Sequence, residues 1–310
     1  MSEHPAISAF RGGDRLVRVV GHRGARGILP ENSMIGFEFA IKSGAPLLEF
    51  DVVLTADEIP VITHNHRLHA ATFRDEDGQF ITAEPKVADL QWSQLGGYDI
   101  GRLDVNTLYA KRFPDQAQLD GIRVPRLVDL LDFVNQPAHN NAYLMLELKS
   151  DPDFALDQNY RQKFVRVVVQ LVRQAGLTQR TVLHSFDWNL LQECREQAPD
   201  IPASFLTHLP KNVETGGEES SQSICPNFNG RETEIPDLVA RAGGAFWCPY
   251  ADDLTHSLVV RAHELGLVVV VWTVNEIAEI DRAVEAGVDA IVTDYPGRVQ
   301  RRLTELGYRW

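Results

Sequence analysis

Glu49 and Asp51 stand two apart in the run LLEFDVVL, and Glu147 and Lys149 stand two apart in AYLMLELKS. In an extended strand residues i and i+2 project to one face, so each run would present two ionisable groups side by side. Both runs are otherwise apolar, as in parallel strands covered on two faces, so these groups would be buried. A buried carboxylate costs roughly several kcal/mol unless it is paired or metal-bound. A buried Glu–Lys ion pair is the plainer reading. Three carboxylates against one lysine, however, leave excess negative charge that a hard divalent cation with oxygen ligands would neutralise.

Two histidines and an arginine could work beside such a cluster. Gly21-His22-Arg23-Gly24 closes the run LVRVVG and is followed by Pro30-Glu31-Asn32. A histidine and an arginine between flexible glycines at a strand end suit an anion site. A capping histidine and a solvated arginine are the plainer alternative, and Asn32 reads as the N-cap of the next helix. His64 ends the run IPVITH. A turn centred near Asp57 would place Asp51 opposite His64 and carry that histidine back to the acids. Two histidines at one site can divide general-base and general-acid work.

Such a set needs a scaffold that gathers distant segments. Runs at 16–21, 47–53, 59–64, 142–148, 181–186, 202–207, 245–250, 267–274 and 290–294 predict nine strands. Helical periodicity covers 33–43, 126–135, 155–175, 188–197, 235–242, 255–265, 276–286 and 297–306. Alternating strands and helices imply parallel pairing in an α/β fold. The second and third runs are joined by only about five residues, too few for a parallel crossover, so they form an antiparallel hairpin. Eight βα units then remain, which predicts a single TIM (β/α)8 barrel over an open doubly wound sheet.

Residues 65–125 and 208–234 break this rhythm. Each follows a barrel strand, on the face where such barrels carry their sites. The first reads as a lid within one domain spanning 1–310, with too few apolar residues for a core of its own. Its aromatics Phe73, Phe80, Trp92 and Tyr98 would either line an apolar groove or anchor the lid.

The composition narrows the partners. Of 310 residues 44% are hydrophobic and 24% charged, and the formal net charge is −13. That field repels nucleic acid and anionic lipid surfaces, so a small molecule is the expected partner, and no stable membrane association is expected. An anionic substrate would need positive charge supplied locally. Cys194, Cys225 and Cys248 are odd in number and lack metal-ligand spacing. They argue for a reducing compartment, the cytoplasm by default. The N-terminal MSEHPAISAF lacks the basic and apolar regions of a signal peptide. Nothing in the sequence sets an oligomeric state.

The ordered set of motifs resembles the glycerophosphodiester phosphodiesterases. It comprises His22-Arg23-Gly24, Pro30-Glu31-Asn32, Glu49-x-Asp51-Val52, His64, Glu147-Leu148-Lys149, Ser185-Phe186-Asp187, Trp272-Thr273-Val274-Asn275 and Thr293-Asp294-Tyr295-Pro296, spanning about 17–300. The resemblance implies His22 and His64 as the catalytic pair and Glu49, Asp51 and Glu147 as ligands of one divalent cation, Ca²⁺ or Mg²⁺. It implies Arg23 and Lys149 as phosphate-contacting cations and Trp272 as the apolar wall of the substrate pocket. The implied reaction is hydrolysis of a glycerophosphodiester to sn-glycerol 3-phosphate and an alcohol. A lysophospholipase D-like phosphodiesterase and a non-catalytic phosphate-binding barrel are the alternatives. One departure is Asn65, where the family commonly has an aspartate after the second histidine.

Overall fold

The structure, a computed structural model, describes residues 3–209 and 224–310. Part of the predicted 208–234 loop therefore lies outside the described residues. The apolar runs form nine strands among these residues: β1 (Arg18–His22), β2 (Leu47–Leu54), β3 (Pro60–Ile62), β4 (Tyr143–Leu148), β5 (Thr181–Ser185), β6 (Ala203–Thr207), β7 (Phe246–Pro249), β8 (Val268–Val271) and β9 (Ala290–Thr293). β1 pairs in parallel with both β2 and β9, so β1, β2 and β4–β9 close into an eight-stranded parallel barrel. β3 runs antiparallel to β2 outside that ring. This is the TIM barrel with a hairpin that the strand count predicts.

The eight predicted helices all form, within a few residues of their expected ends. The longest, Gln158–Gln174, is capped by Asp157, whose side chain accepts from the amides of Asn159 and Tyr160. It buries Phe164, Val165, Val168, Val169 and Val172. That stripe recurs every three to four residues, as an amphipathic helix against a sheet requires. It packs into one core layer with Phe50, Leu146 and Leu183 of the strands. A second layer on the opposite side gathers Phe205, Trp247, Val269 and Val299.

Among the described residues, three short α-helices were not foreseen: Trp92–Leu95 and Leu108–Arg112 within the insertion, and Pro5–Phe10 ahead of the barrel. Pro5–Phe10 starts at Pro5, with His4 as N-cap, and buries Ala6 and Phe10. These join Met145, Val182, Phe246 and Val268 in a cluster inside the barrel. Phe10 meets Phe246 edge-on at 5.7 Å. Phe10→Ala is expected to cost about 3–5 kcal/mol, because it opens a cavity among residues that cannot collapse. Denaturant unfolding measures this, with turnover per folded molecule unchanged; a wild-type midpoint would mean that the helix does not seal the barrel.

The hairpin register differs from expectation by one residue. Val52 pairs with Ile62 and Leu54 with Pro60, so Asp51 stands opposite Thr63, whose N–H donates to its carbonyl at 3.1 Å. The turn is tighter than assumed: Thr55 N–H donates to the Ile59 carbonyl at 3.1 Å, and Glu58 takes a φ of 59°. A slip of one residue within a strand turns a side chain to the opposite face. His64 escapes this because β3 ends at Ile62.

Residues 65–125 hold more core than their sparse pattern suggests. Leu68, Phe73, Val87, Leu95, Ile100 and Val124 are buried against Val53 of β2 and Val61 of β3. Trp92 and Tyr98 pack against this cluster, with Phe73 and Tyr98 edge-on at 6.1 Å. These three aromatics anchor the insertion; Phe80 is half-buried outside the cluster. Among the described residues no helix is long and apolar enough to cross a membrane.

Candidate active site

The C-terminal ends of the barrel strands bring the predicted residues together. His22 is the last residue of β1, Glu49 and Asp51 lie on β2, Glu147 near the end of β4, with Lys149 just past it. His64 follows β3 and Trp272 follows β8. His22, Arg23, Glu49, His64, Glu147, Lys149 and Trp272 line one cavity, and Asp51 sits beneath it.

The turn after β1 depends on two glycines. A side chain on Gly21 would put a Cβ 2.1 Å from the Gly24 carbonyl oxygen, and Gly24 has a φ of +88° with Gly36 backbone 2.8 Å from where a Cβ would lie. This fold of the chain directs Arg23 N–H to Glu49 Oε2 at 3.1 Å. The Arg23 side chain reaches Asp51 Oδ2, with Nε 3.3 Å away, and donates from Nη1 to Glu31 Oε1 at 3.1 Å.

Ligand atoms of Glu49, Asp51 and Glu147 lie within 4.8 Å of one another, and all three residues are buried. Lys149 Nζ lies 3.0 Å from Glu147 Oε1 and 3.4 Å from Asp51 Oδ1. Burial, then repulsion from Asp51 and Glu147, pushes the Glu49 carboxyl well above the usual range. Burial likewise drives Glu147 up to about 7, against the pull of Lys149. Asp51 is the reverse case: burial is outweighed by His64, Lys149, Arg23 and a hydrogen bond from Asn32, which hold it well below its ordinary value. Among the described residues, buried Glu147 Oε1 meets only the Lys149 ammonium, outside good hydrogen-bond geometry. An all-oxygen set of three buried carboxylates, with negative charge in excess of the neighbouring lysine, fits a hard divalent cation.

Asn32 is not an N-cap. Ser33 takes that place, its Oγ accepting from Gly36 N–H at 3.2 Å. Asn32 adopts a φ of 52° and donates from Nδ2 to Asp51 Oδ2 at 2.9 Å. The neighbouring serine made either position plausible as a cap, and only tertiary packing decides between them.

His22 Nδ1 lies 2.7 Å from Asp294 Oδ1, and its Nε2 lies 3.7 Å from Glu49 Oε2. Asp294 also binds the Arg26 guanidinium, with Nε 2.8 Å and Nη2 3.2 Å from its two oxygens, and accepts from Asn275 Nδ2 at 2.7 Å. Burial opposes ionisation of Asp294, yet Arg26 and His22 keep it far below the usual carboxylate range. Burial and the Arg26 charge lower His22, against the pull of Asp294, so its imidazole is neutral at pH 7. His64 Nδ1 lies 2.7 Å from Asn65 Oδ1. The departure at position 65 thus keeps the contact to the ring and gives up its charge.

Asp294 and Asn275 stand in the sequence motifs without a role assigned to them there, and Arg26 and His184 belong to none of those motifs. His184 opposes Glu147 in register, lines the cavity and lies 2.8 Å through Nδ1 from Ser204 Oγ. Burial takes it down to about 3. The alternation that placed Glu147 inward would have found it. Phe186 packs edge-on against Trp272 at 5.3 Å, and Trp272 Nε1 donates to the Cys248 carbonyl at 2.9 Å, which fixes the indole as a wall.

The profile of the glycerophosphoryl diester phosphodiesterase family matches residues 22–298. A crystal structure from Silicibacter pomeroyi DSS-3, provisionally assigned as a glycerophosphoryl diester phosphodiesterase, superposes with a TM-score of 0.90 at 48% identity, over 99% of this chain and 100% of that one. A glycerophosphodiester phosphodiesterase from Bacillus subtilis (strain 168) is 23% identical over 300 residues, covering 94% of this chain and 89% of its own. An Oleispira antarctica phosphodiesterase in complex with the product sn-glycerol-3-phosphate shares the fold, with a TM-score of 0.68 at 18% identity over 96% of this chain and 99% of its own. With the family profile spanning the barrel from His22 to α-helical residue Arg298, the chain belongs to the glycerophosphoryl diester phosphodiesterase family, whose members are phosphoric diester hydrolases.

Proposed function

We propose that the protein hydrolyses a glycerophosphodiester to sn-glycerol 3-phosphate and an alcohol, with one divalent cation, Ca²⁺ or Mg²⁺, held by Glu49, Asp51 and Glu147. The observation that carries this reading is the convergence of three buried carboxylates within 4.8 Å of one another below two histidines. When bound there, the cation supplies Lewis-acid polarisation of a phosphoryl oxygen and an anchor for a glycerol hydroxyl. Arg23 and Lys149 are placed to stabilise charge on the phosphoryl oxygens as phosphorus becomes five-coordinate. Trp272 and Phe186 give the cavity an apolar wall.

The two histidines divide the proton transfers by their surroundings. His22 is neutral at pH 7, and donating its Nδ1 proton to Asp294 leaves Nε2 as the base toward the nucleophile. His64, the second histidine of the cavity and a neighbour of Asp51, is then left to protonate the leaving alkoxide. Asp294, Arg26 and Asn275 position His22. Residues 65–125 act as a lid within one domain. A lysophospholipase D from Homo sapiens is 24% identical over 92% of this chain and 85% of its own. Three of the four aromatics that an acyl groove would need, Phe73, Trp92 and Tyr98, are instead spent anchoring the insertion. The unpaired cysteines Cys194, Cys225 and Cys248 support a reducing, cytoplasmic setting.

Chelation tests the reading. Exhaustive EDTA treatment should remove turnover of glycerophosphodiesters, and Mg²⁺ or Ca²⁺ should restore it. Full activity after chelation would leave Lys149 as the working cation and remove the metal from the mechanism.

A further inference from the structure

The insertion encloses a second chamber beside the active-site cavity. Arg23 and His64 belong to the walls of both. Glu31, Tyr109 and Gln116 also line the chamber. Gln116 is 5% exposed, and its Nε2 donates to the Arg26 carbonyl at 2.7 Å. A carbonyl can only accept, so this bond fixes which way the amide points. The other end of the amide, Oε1, is buried with no donor among the described residues. Glu31 brings a second acceptor group, held by Arg23 Nη1 at 3.1 Å and by the Tyr109 hydroxyl. A buried acceptor left without a donor is costly, so the vacancy on Gln116 calls for a donor from a ligand.

We propose that this chamber receives the end of the leaving alcohol, and that Gln116 selects headgroups ending in a hydrogen-bond donor, either hydroxyl or primary ammonium. The inference rests on the glycerophosphodiester reading above. That reading keeps the glycerol half with the three carboxylates and sets phosphorus between His22 and His64. The opposite ester oxygen then departs past His64 and Arg23, the side chains that join the two spaces. The chamber's free volume is about 20 Å³, on the order of what one water molecule needs. A small terminal group of the alcohol matches that space best. An ordered water on Gln116 is the competing occupant, and it would make the headgroup's last atom irrelevant.

Three glycerophosphodiesters with 2-aminoethyl, 2-hydroxyethyl and n-propyl leaving groups test this, because they differ only in that last atom. Their leaving oxygens differ in acidity, so the readout is each selectivity in kcat/KM for wild type divided by that for Gln116→Met, which cancels intrinsic reactivity. The preference for either donor over n-propyl should fall by roughly tenfold or more in the variant, as at sites built to hydrogen-bond a substrate group. Gln116→Glu keeps an acceptor, so it should retain the preference and favour the ammonium further. That direction decides the matter if Gln116→Met does not fold. Equal losses on all three substrates, or unchanged ratios, would assign Gln116 to supporting Arg26 or to a water, and would overturn the proposal. Hydrolysis of none of the three by wild type would instead bring down the glycerophosphodiester reading, and this inference with it.

Discussion

Glu49→Gln should lower turnover by at least about 10²–10³-fold while leaving the cation-free protein no less stable than wild type. The amide keeps the shape of the carboxyl and removes one of three negative charges that a cation would meet. Its effect on stability has a definite sign. Glu49 is held above its ordinary value of 4.5, so the folded state binds a proton that the unfolded state releases as pH rises past that value. In the cation-free protein this group therefore costs stability at neutral pH, and the neutral amide removes that cost. Thermal unfolding with EDTA should place the variant at or above wild type. With added Mg²⁺ or Ca²⁺, wild type should gain stability and the variant should not. A variant stabilised by the cation as strongly as wild type would exclude Glu49 from the ligand set.

The histidines should each cost roughly 10²–10⁴-fold in turnover when replaced by alanine, but their losses should differ in kind. A p-nitrophenolate leaving group needs no proton, so His64→Ala should recover most of its loss on such a substrate. His22→Ala should not, because the nucleophile still needs its base. Equal rescue of both would mean that the protons are divided otherwise. Asp294→Asn should follow His22→Ala with a smaller loss and no rescue, since it leaves the imidazole in place and alters its tautomer and basicity.

The barrel was legible because its information is local. Alternating apolar runs and helical stripes give parallel strands, and a connector too short for a crossover gives the hairpin. The same reasoning placed Glu49, Asp51, Glu147 and Lys149 at one strand-end face, because alternation in a buried strand leaves little choice. What was illegible is set across long sequence distances. Ser33 and Asn32 are adjacent and both able to cap, so the hydrogen bond from Asn32 to Asp51 could be decided only by the strand that arrives beside it. The hairpin register turned on Glu58 accepting a positive φ, which no apolar pattern encodes. The insertion's core was hidden because it borrows Val53 and Val61 from the hairpin and so need not be rich in apolar residues itself.

Asp294 follows the ninth strand, while His22 ends the first, so the bond between them at 2.7 Å spans 272 positions of chain. A polypeptide emerges from the ribosome with its N-terminal segments first. Both histidines and all three carboxylates are therefore exposed to the cell long before the aspartate that steadies His22 is synthesised. Until β9 docks against β1, the growing chain lacks the aspartate that holds the proposed base, His22, in place. On the base role proposed for His22, closing the ring is also the act that arms it, and a chain interrupted before residue 290 is expected to be inert.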